Sequence, residues 1–359
     1  MRLLIIPLLL LFVACKDENT IKVTEPTIHY KPLKQEKYVK AQIRLSKVDS
    51  LATDKDVSKF LITIDSGFTN FKLERSPYSD ALKNPEMDSI TKARIKSSGI
   101  KKSFYKADLD NNSYTDLVVL GGWGSTSTAY EGERLEYHSY AVMNFGNKPE
   151  NIYDLRSFLM PEIHYANGEP YLINRLIRGN DIKEIKLTGK FGLFTEYNES
   201  PVDSKIEKIE FESDPCFGSC PYFLLTINKN RFATLIAIAY NRNDLPDNYI
   251  EMEGVYTATI KDNEYDQIME LLNYIDFKNL DKSYSVGHTD APTGIIKITY
   301  DNGKIKYIND YGMKGTYGLM AAYNLFRNLR FNQKWTKVEK IFGIKIENVG
   351  HIVPRLKEY

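Results

Sequence analysis

The spacing of apolar residues changes character along the chain. Leu3 to Val13 is an apolar run of eleven residues behind a single charge, Arg2. That is too short to cross a hydrocarbon layer of roughly 30 Å as a helix, but it fits the core of a signal peptide. Residues 16–40 are polar, rich in Lys, Glu and Thr, and punctuated by Pro26 and Pro32. If flexible, such a tether reaches about 25 Å. Helical spacing begins at Thr53-Asp54-Lys55-Asp56, a helix start followed by Val57, Phe60, Leu61 and Ile64 on one face. Pro85–Ser98 predicts a second, more polar helix. Strands are expected at Leu117–Leu120, Ser139–Asn144, Tyr171–Leu176 and Ile185–Leu187.

Beyond residue 200 the alternation is cleaner. Lys205–Phe211, Tyr222–Ile227, Phe232–Ile238 and Val255–Ile260 read as strands. Asp262 opens a helix with Tyr265, Ile268, Met269, Leu272 and Ile275 on one side. Ile296, Ile298 and Tyr300 share one face of a further strand. Asp301-Asn302-Gly303 then turns the chain into Ile305–Asn309, since Asn-Gly supplies the positive φ a tight hairpin needs. A last helix, about Tyr317 to Leu329, carries Leu319, Tyr323 and Phe326. These patterns predict an α+β protein of two domains. The first spans 41–200. The second, 201–335, is an antiparallel sheet with two helices on one face, followed by an extension over 336–359.

Composition narrows the classes. The 359 residues carry 48 Lys and Arg against 47 Asp and Glu. Loss of the first 14 residues removes one arginine and leaves the charges equal. Bulk charge therefore favours neither nucleic acid nor an anionic membrane surface. Five histidines, without the His-x-x-x-His spacing, give little support for a zinc hydrolase. Three cysteines, an odd number, ask for two different explanations.

The first lies at Leu11-Phe12-Val13-Ala14-Cys15, which resembles a bacterial lipobox, with Phe12 where Leu is usual. The resemblance implies cleavage before Cys15 and its acylation, and several acyl chains make a durable anchor. An ordinary cleaved signal peptide is the alternative. Lys16-Asp17-Glu18 resembles the lysine-plus-acidic export signal of Bacteroidota surface lipoproteins. It implies an outer-membrane anchor exposed at the cell surface.

The other two cysteines stand in Asp214-Pro215-Cys216-Phe217-Gly218-Ser219-Cys220-Pro221-Tyr222. This resembles the Pro-Cys-Phe-Gly-x-Cys-Pro motif of an uncharacterised bacterial lipoprotein domain frequent in Bacteroidota. Softer landmarks continue over about residues 205–325: Leu225-Thr226-Ile227, Gly254-Val255-Tyr256, Phe277, Leu280, Tyr284, Asp290-Ala291-Pro292 and Asp310-Tyr311. Tyr240–Glu251 reads as an insert. The family has no established activity, so the resemblance implies a fold and a compartment but no reaction. On the residues themselves, the spacing around Gly218 permits a disulfide between Cys216 and Cys220, which an oxidising envelope favours. Metal ligation, with His288 as a distant helper, and a catalytic thiol remain alternatives.

Asp108-Leu109-Asp110-Asn111-Asn112-Ser113-Tyr114-Thr115-Asp116 places oxygen ligands at positions 1, 3, 5 and 9, with the Tyr114 carbonyl at position 7. Calcium takes six to eight hard oxygens. The loop resembles the calcium loops of extracellular repeat proteins such as integrin-type propellers, although Ser113 replaces the turn glycine and Val119 stands where an EF-hand has Glu. An Asx-rich turn bonding its own amides is the alternative.

Gly121-Gly122-Trp123-Gly124 lacks phosphate-loop spacing and reads as a surface loop. His288-Thr289-Asp290 has no nucleophile at motif spacing and reads as a turn. His138 and His164 read as packing or surface residues. The expectation is a non-catalytic binding or structural module, anchored to the envelope, with calcium as the candidate ion and a protein or glycan ligand. Its rivals are an envelope hydrolase assembled from Asp290, Asp310 and His288, and an immunity- or inhibitor-type lipoprotein.

Overall fold

The computed structural model describes residues 43–73, 102–125, 134–146, 149–157, 160–178, 181–243 and 250–338, together with residues 89, 92, 93, 340, 341, 344 and 345. The signal segment, Cys15 and the tether lie outside the described residues. So does the helix expected over Pro85–Ser98, apart from Ser89, Lys92 and Ala93, which are helical. Residues 41–359 make one compact unit. The described residues are mostly antiparallel sheet, with three α-helices. None of these helices is long and apolar enough to cross a membrane.

The helix predicted after Thr53 is α1, Asp54–Ile64. Thr53 accepts the Asp56 N–H while Asp56 reaches back to the Thr53 amide, so two otherwise unpaired helix-end groups satisfy each other. Val57, Phe60 and Leu61 are buried. They pack with Phe68, Phe71, Leu117, Val119 and Val142 on one side of a five-stranded sheet.

That sheet holds β1 (Phe71–Leu73), β2 (Phe104–Ala107), β3 (Asp116–Ser125), β4 (Arg134–Met143) and β5 (Asn151–Asp154), with β1 and β2 both pairing β3. The glycine run expected as a loop is strand instead, paired with β4 and, through Gly121 and Gly122, with β1. Glycine is needed there for packing. A Cβ on Gly121 would stand 2.3 Å from the Lys72 carbonyl oxygen and 2.7 Å from the Phe71 ring. His138 stacks on Tyr140, and Trp123 meets both rings edge-on.

A four-stranded meander follows, formed by β6 (Glu162–Ala166), β7 (Glu169–Arg178), β8 (Asp181–Lys190) and β9 (Leu193–Glu196). Leu172, Leu187 and Phe194 from it join Val118, Leu120, Ala141 and Met143 in a second core.

The cysteine-motif region builds an eight-stranded sheet in the order β14-β16-β15-β10-β11-β12-β13-β17. Its strands are β10 (Ile206–Ser213), β11 (Tyr222–Asn228), β12 (Phe232–Arg242), β13 (Glu251–Thr259), β14 (Ser283–Ser285), β15 (Thr293–Tyr300), β16 (Lys304–Tyr311) and β17 (Thr336–Val338). Only β14 pairs parallel, with β16. Phe211, Phe223, Leu225, Ile227, Leu235, Ile296 and Ile298 pack with α2 (Asp262–Tyr274) and α3 (Tyr317–Asn332) in one core. Each such side chain contributes about 1.5–3 kcal/mol by leaving water.

Two details differ from the expectation, and the Asn-Gly turn follows it. The supposed insert begins as strand, because β12 runs on to Arg242 through a bulge between Ala237 and Asn241, where Tyr240 has a φ of 54°; residues 244–249 lie outside the described residues. The Asp301-Asn302-Gly303 turn takes positive φ at all three residues, so the hairpin loop holds three residues between Tyr300 and Lys304. β17, expected in a separate extension, closes the sheet edge against β13. A short hairpin, β18 (Lys340–Ile341) with β19 (Ile344–Lys345), lies beyond it.

Candidate functional site

The acidic loop joins β2 to β3, so its two ends are fixed by strand pairing. One oxygen each from Asp108, Asp110 and Asp116 lies within 4.8 Å of the others. Asp108 accepts the amides of Asn112 and Ser113 at 3.1 and 2.9 Å. Asp110 accepts the Asn112 amide at 3.3 Å and its Nδ2 at 3.0 Å. Asn112 Oδ1 accepts the Tyr114 amide at 2.7 Å. Asn111 and Ser113 take the left-handed backbone, with φ of 60° and 71°. Ser113 therefore adopts the conformation that glycine would supply without strain.

Asp116 is fully buried and accepts the Leu109 and Asn144 amides, each at 2.7 Å. Burial outweighs these bonds and pushes its carboxyl up to about 8, with Asp110 and Asp108 adding repulsion. Burial, then the charge of Asp108, pushes Asp110 up to about 6. Asn144 had no sequence signal. It follows β4, 28 residues past Asp116, and closes the loop by donating its side-chain amide to the Thr115 carbonyl at 3.1 Å. On the outer side Arg44 donates its amide to the Ser113 carbonyl at 2.8 Å and lies over the Tyr114 ring. Thr115 donates to Asp49.

The cysteine loop joins β10 to β11. Cys216 and Cys220 form a disulfide, with Cα atoms 5.5 Å apart. Gly218 at the tip has a φ of 142°, outside the range comfortable for other residues. The Asp214 amide donates to the Thr293 carbonyl and Ser213 Oγ to the Pro221 carbonyl, both near 2.9 Å or less. Phe217 stands 89% exposed on this closed loop.

The residues nominated for a hydrolase differ in burial. His288 and Asp290 are exposed, and Asp290 accepts from its neighbour Thr289. Asp310 is fully buried, and its oxygens accept the Gly315 and Lys314 amides and the Tyr323 hydroxyl. It closes the turn between β16 and α3. His164 stacks on Tyr171 and contacts Glu162.

No curated protein and no solved structure matches the chain. Residues 207–330, from β10 to near the end of α3, match the family model of a domain of unknown function, DUF6438.

Proposed function

We propose that the chain is a lipid-anchored, outer-membrane protein of the bacterial cell envelope, held through Cys15, with a non-catalytic binding role. The lipobox-like segment and the lysine-plus-acidic tract support the anchor. The observation that carries the binding role is Phe217, an exposed aromatic ring on a loop closed by a disulfide. Such a ring offers large contact area with little conformational entropy left to lose, which is the profile of an interface anchor. The ligand is a protein or glycan of the envelope, and the equal numbers of acidic and basic residues make nucleic acid the poorer fit. The test is a pull-down from intact cells with the soluble mature chain. A specific partner should be retained by wild type and lost with Phe217→Ala. Equal capture by both, or turnover of glycan or peptide substrates, would overturn the reading.

A second observation favours calcium at the acidic loop: three carboxylates converge within 4.8 Å. Asp108, Asp110, Asn112, Asp116 and the Tyr114 carbonyl would be the ligands. All are hard oxygens, and a carboxylate oxygen that accepts an amide retains a lone pair for a cation. The ion would brace the turn between β2 and β3. Calorimetry against a chelated sample tests it, and absence of heat would refute it.

A further inference from the structure

Two arginines of α3 carry charge into the molecule with no carboxylate opposite them among the described residues. Arg330 is 7% exposed. Its Nε donates to the Arg327 carbonyl and its Nη1 to Asn241 Oδ1, both at 3.0 Å. Its guanidinium lies 4.7 Å from the ring centroids of Phe223 and Phe331. Asn241 is itself held by donating to the Tyr222 and Ala239 carbonyls.

Arg327, one turn earlier and half-buried, rests Nη2 on Met313 Sδ at 3.0 Å, a weak acceptor. Its Nε is buried and finds no acceptor. Among the described residues, Arg327 Nη1 and Arg330 Nη2 have none either, and neither side chain has an ion-pair partner. Burial, then the like charge of Arg327, pushes Arg330 down to about 10. Burying a guanidinium carries a large desolvation cost, and amide oxygens and aromatic faces offset only part of it. Two such groups at i and i+3 compound the cost.

We propose that Arg327 and Arg330 form a binding site for a phosphate group. Arg327 Nη1 and Arg330 Nη2 are the donors, and Asn241 positions Arg330. Charge decides the class of anion. A phosphate carries about 1.5 to 2 negative charges at neutral pH and can reach the dianion that balances both arginines, whereas a carboxylate balances one. Planar N–H forks suit phosphate oxygens, which lysine would serve only as a point charge. Entry is from the side of Arg327, which keeps part of its surface in water.

The test is calorimetric titration of the full mature chain with inorganic phosphate in chloride buffer at constant ionic strength. Saturable one-to-one binding is expected, weakened about tenfold or more by Arg327→Gln and less by Arg327→Lys. Acetate should bind about tenfold more weakly than phosphate. Melting curves in phosphate-free buffer establish that both variants are folded. Absence of saturable heat, equal affinity in Arg327→Gln, or acetate matching phosphate would overturn the proposal. Co-sedimentation with phosphatidic acid vesicles separates the sources. Sedimentation lost in Arg327→Gln assigns a lipid headgroup, and phosphate binding without sedimentation assigns the free ion.

Discussion

At Asp116 two demands compete. Its carboxylate ties the loop to Leu109 and Asn144, yet full burial beside Asp108 and Asp110 disfavours its charge. For an acid raised on folding, the stabilisation is complete below the unfolded value, 3.8, and is lost as pH rises through the folded values, about 6 for Asp110 and about 8 for Asp116. A cation would offset that loss, and protons compete with it for the same oxygens. The rise in melting temperature on adding calcium to a chelated sample should therefore be larger at pH 8 than at pH 5, and Asp110→Asn should diminish it. A shift independent of pH would contradict this account. The spacing of acidic residues was legible because it is local. The contribution of Asn144 was not, since only the β3–β4 pairing brings it across.

Among the elements, those of the cysteine region were the most legible. One face of its sheet packs on α2 and α3 while the other carries residues such as Lys208, Glu210 and Lys297, so the strands alternate openly. The ends were harder. Thr336-Lys337-Val338 is too short to show a period, and its pairing with β13 is tertiary. The first half hid β1, β2, β5 and β9 for the same reason, each having three or four residues. Gly121-Gly122 hid part of β3 because glycine usually punctuates strands, whereas here it admits Phe71. The disulfide closes an element already pinned at both ends by strand pairing. Replacing both Cys216 and Cys220 by serine should cost about 2 kcal/mol on the chain-entropy model. Chemical denaturation checks this, and an intact fold with unchanged stability would argue against the entropic role. Binding through Phe217 should weaken as well, because the ring would no longer be held in one place.

Across the whole molecule, α3 belongs to more than one core. Leu319, Tyr323 and Phe326 pack under the eight-stranded sheet, while Tyr317 packs among Leu155, Leu172 and Phe194. The Tyr317 hydroxyl donates to the Leu155 carbonyl at 2.6 Å and accepts from Asn174 at 3.0 Å. Glu196, the last residue of β9, accepts the Tyr317 and Gly318 amides at 2.7 and 2.8 Å, placing a negative charge at the helix N-terminus. Arg156 adds a bond to the Lys314 carbonyl. Tyr317→Phe should therefore destabilise the chain by about 1–2 kcal/mol. Urea unfolding should show one transition at a lower midpoint with its slope retained. Two separate transitions in the wild type would show that α3 does not couple the sheets. None of this was legible in the sequence. Tyr317 begins an apolar helical face like any other, and nothing local says that its ring leaves for a different core.

The shared helix bears on how portable residues 207–330 are. Grafted onto an unrelated scaffold, that segment would arrive with a phenol deprived of Leu155 and Asn174, a helix end deprived of Glu196, and a β13 edge stripped of β17. A transplant engineer would have to redesign position 317 and supply a new edge strand.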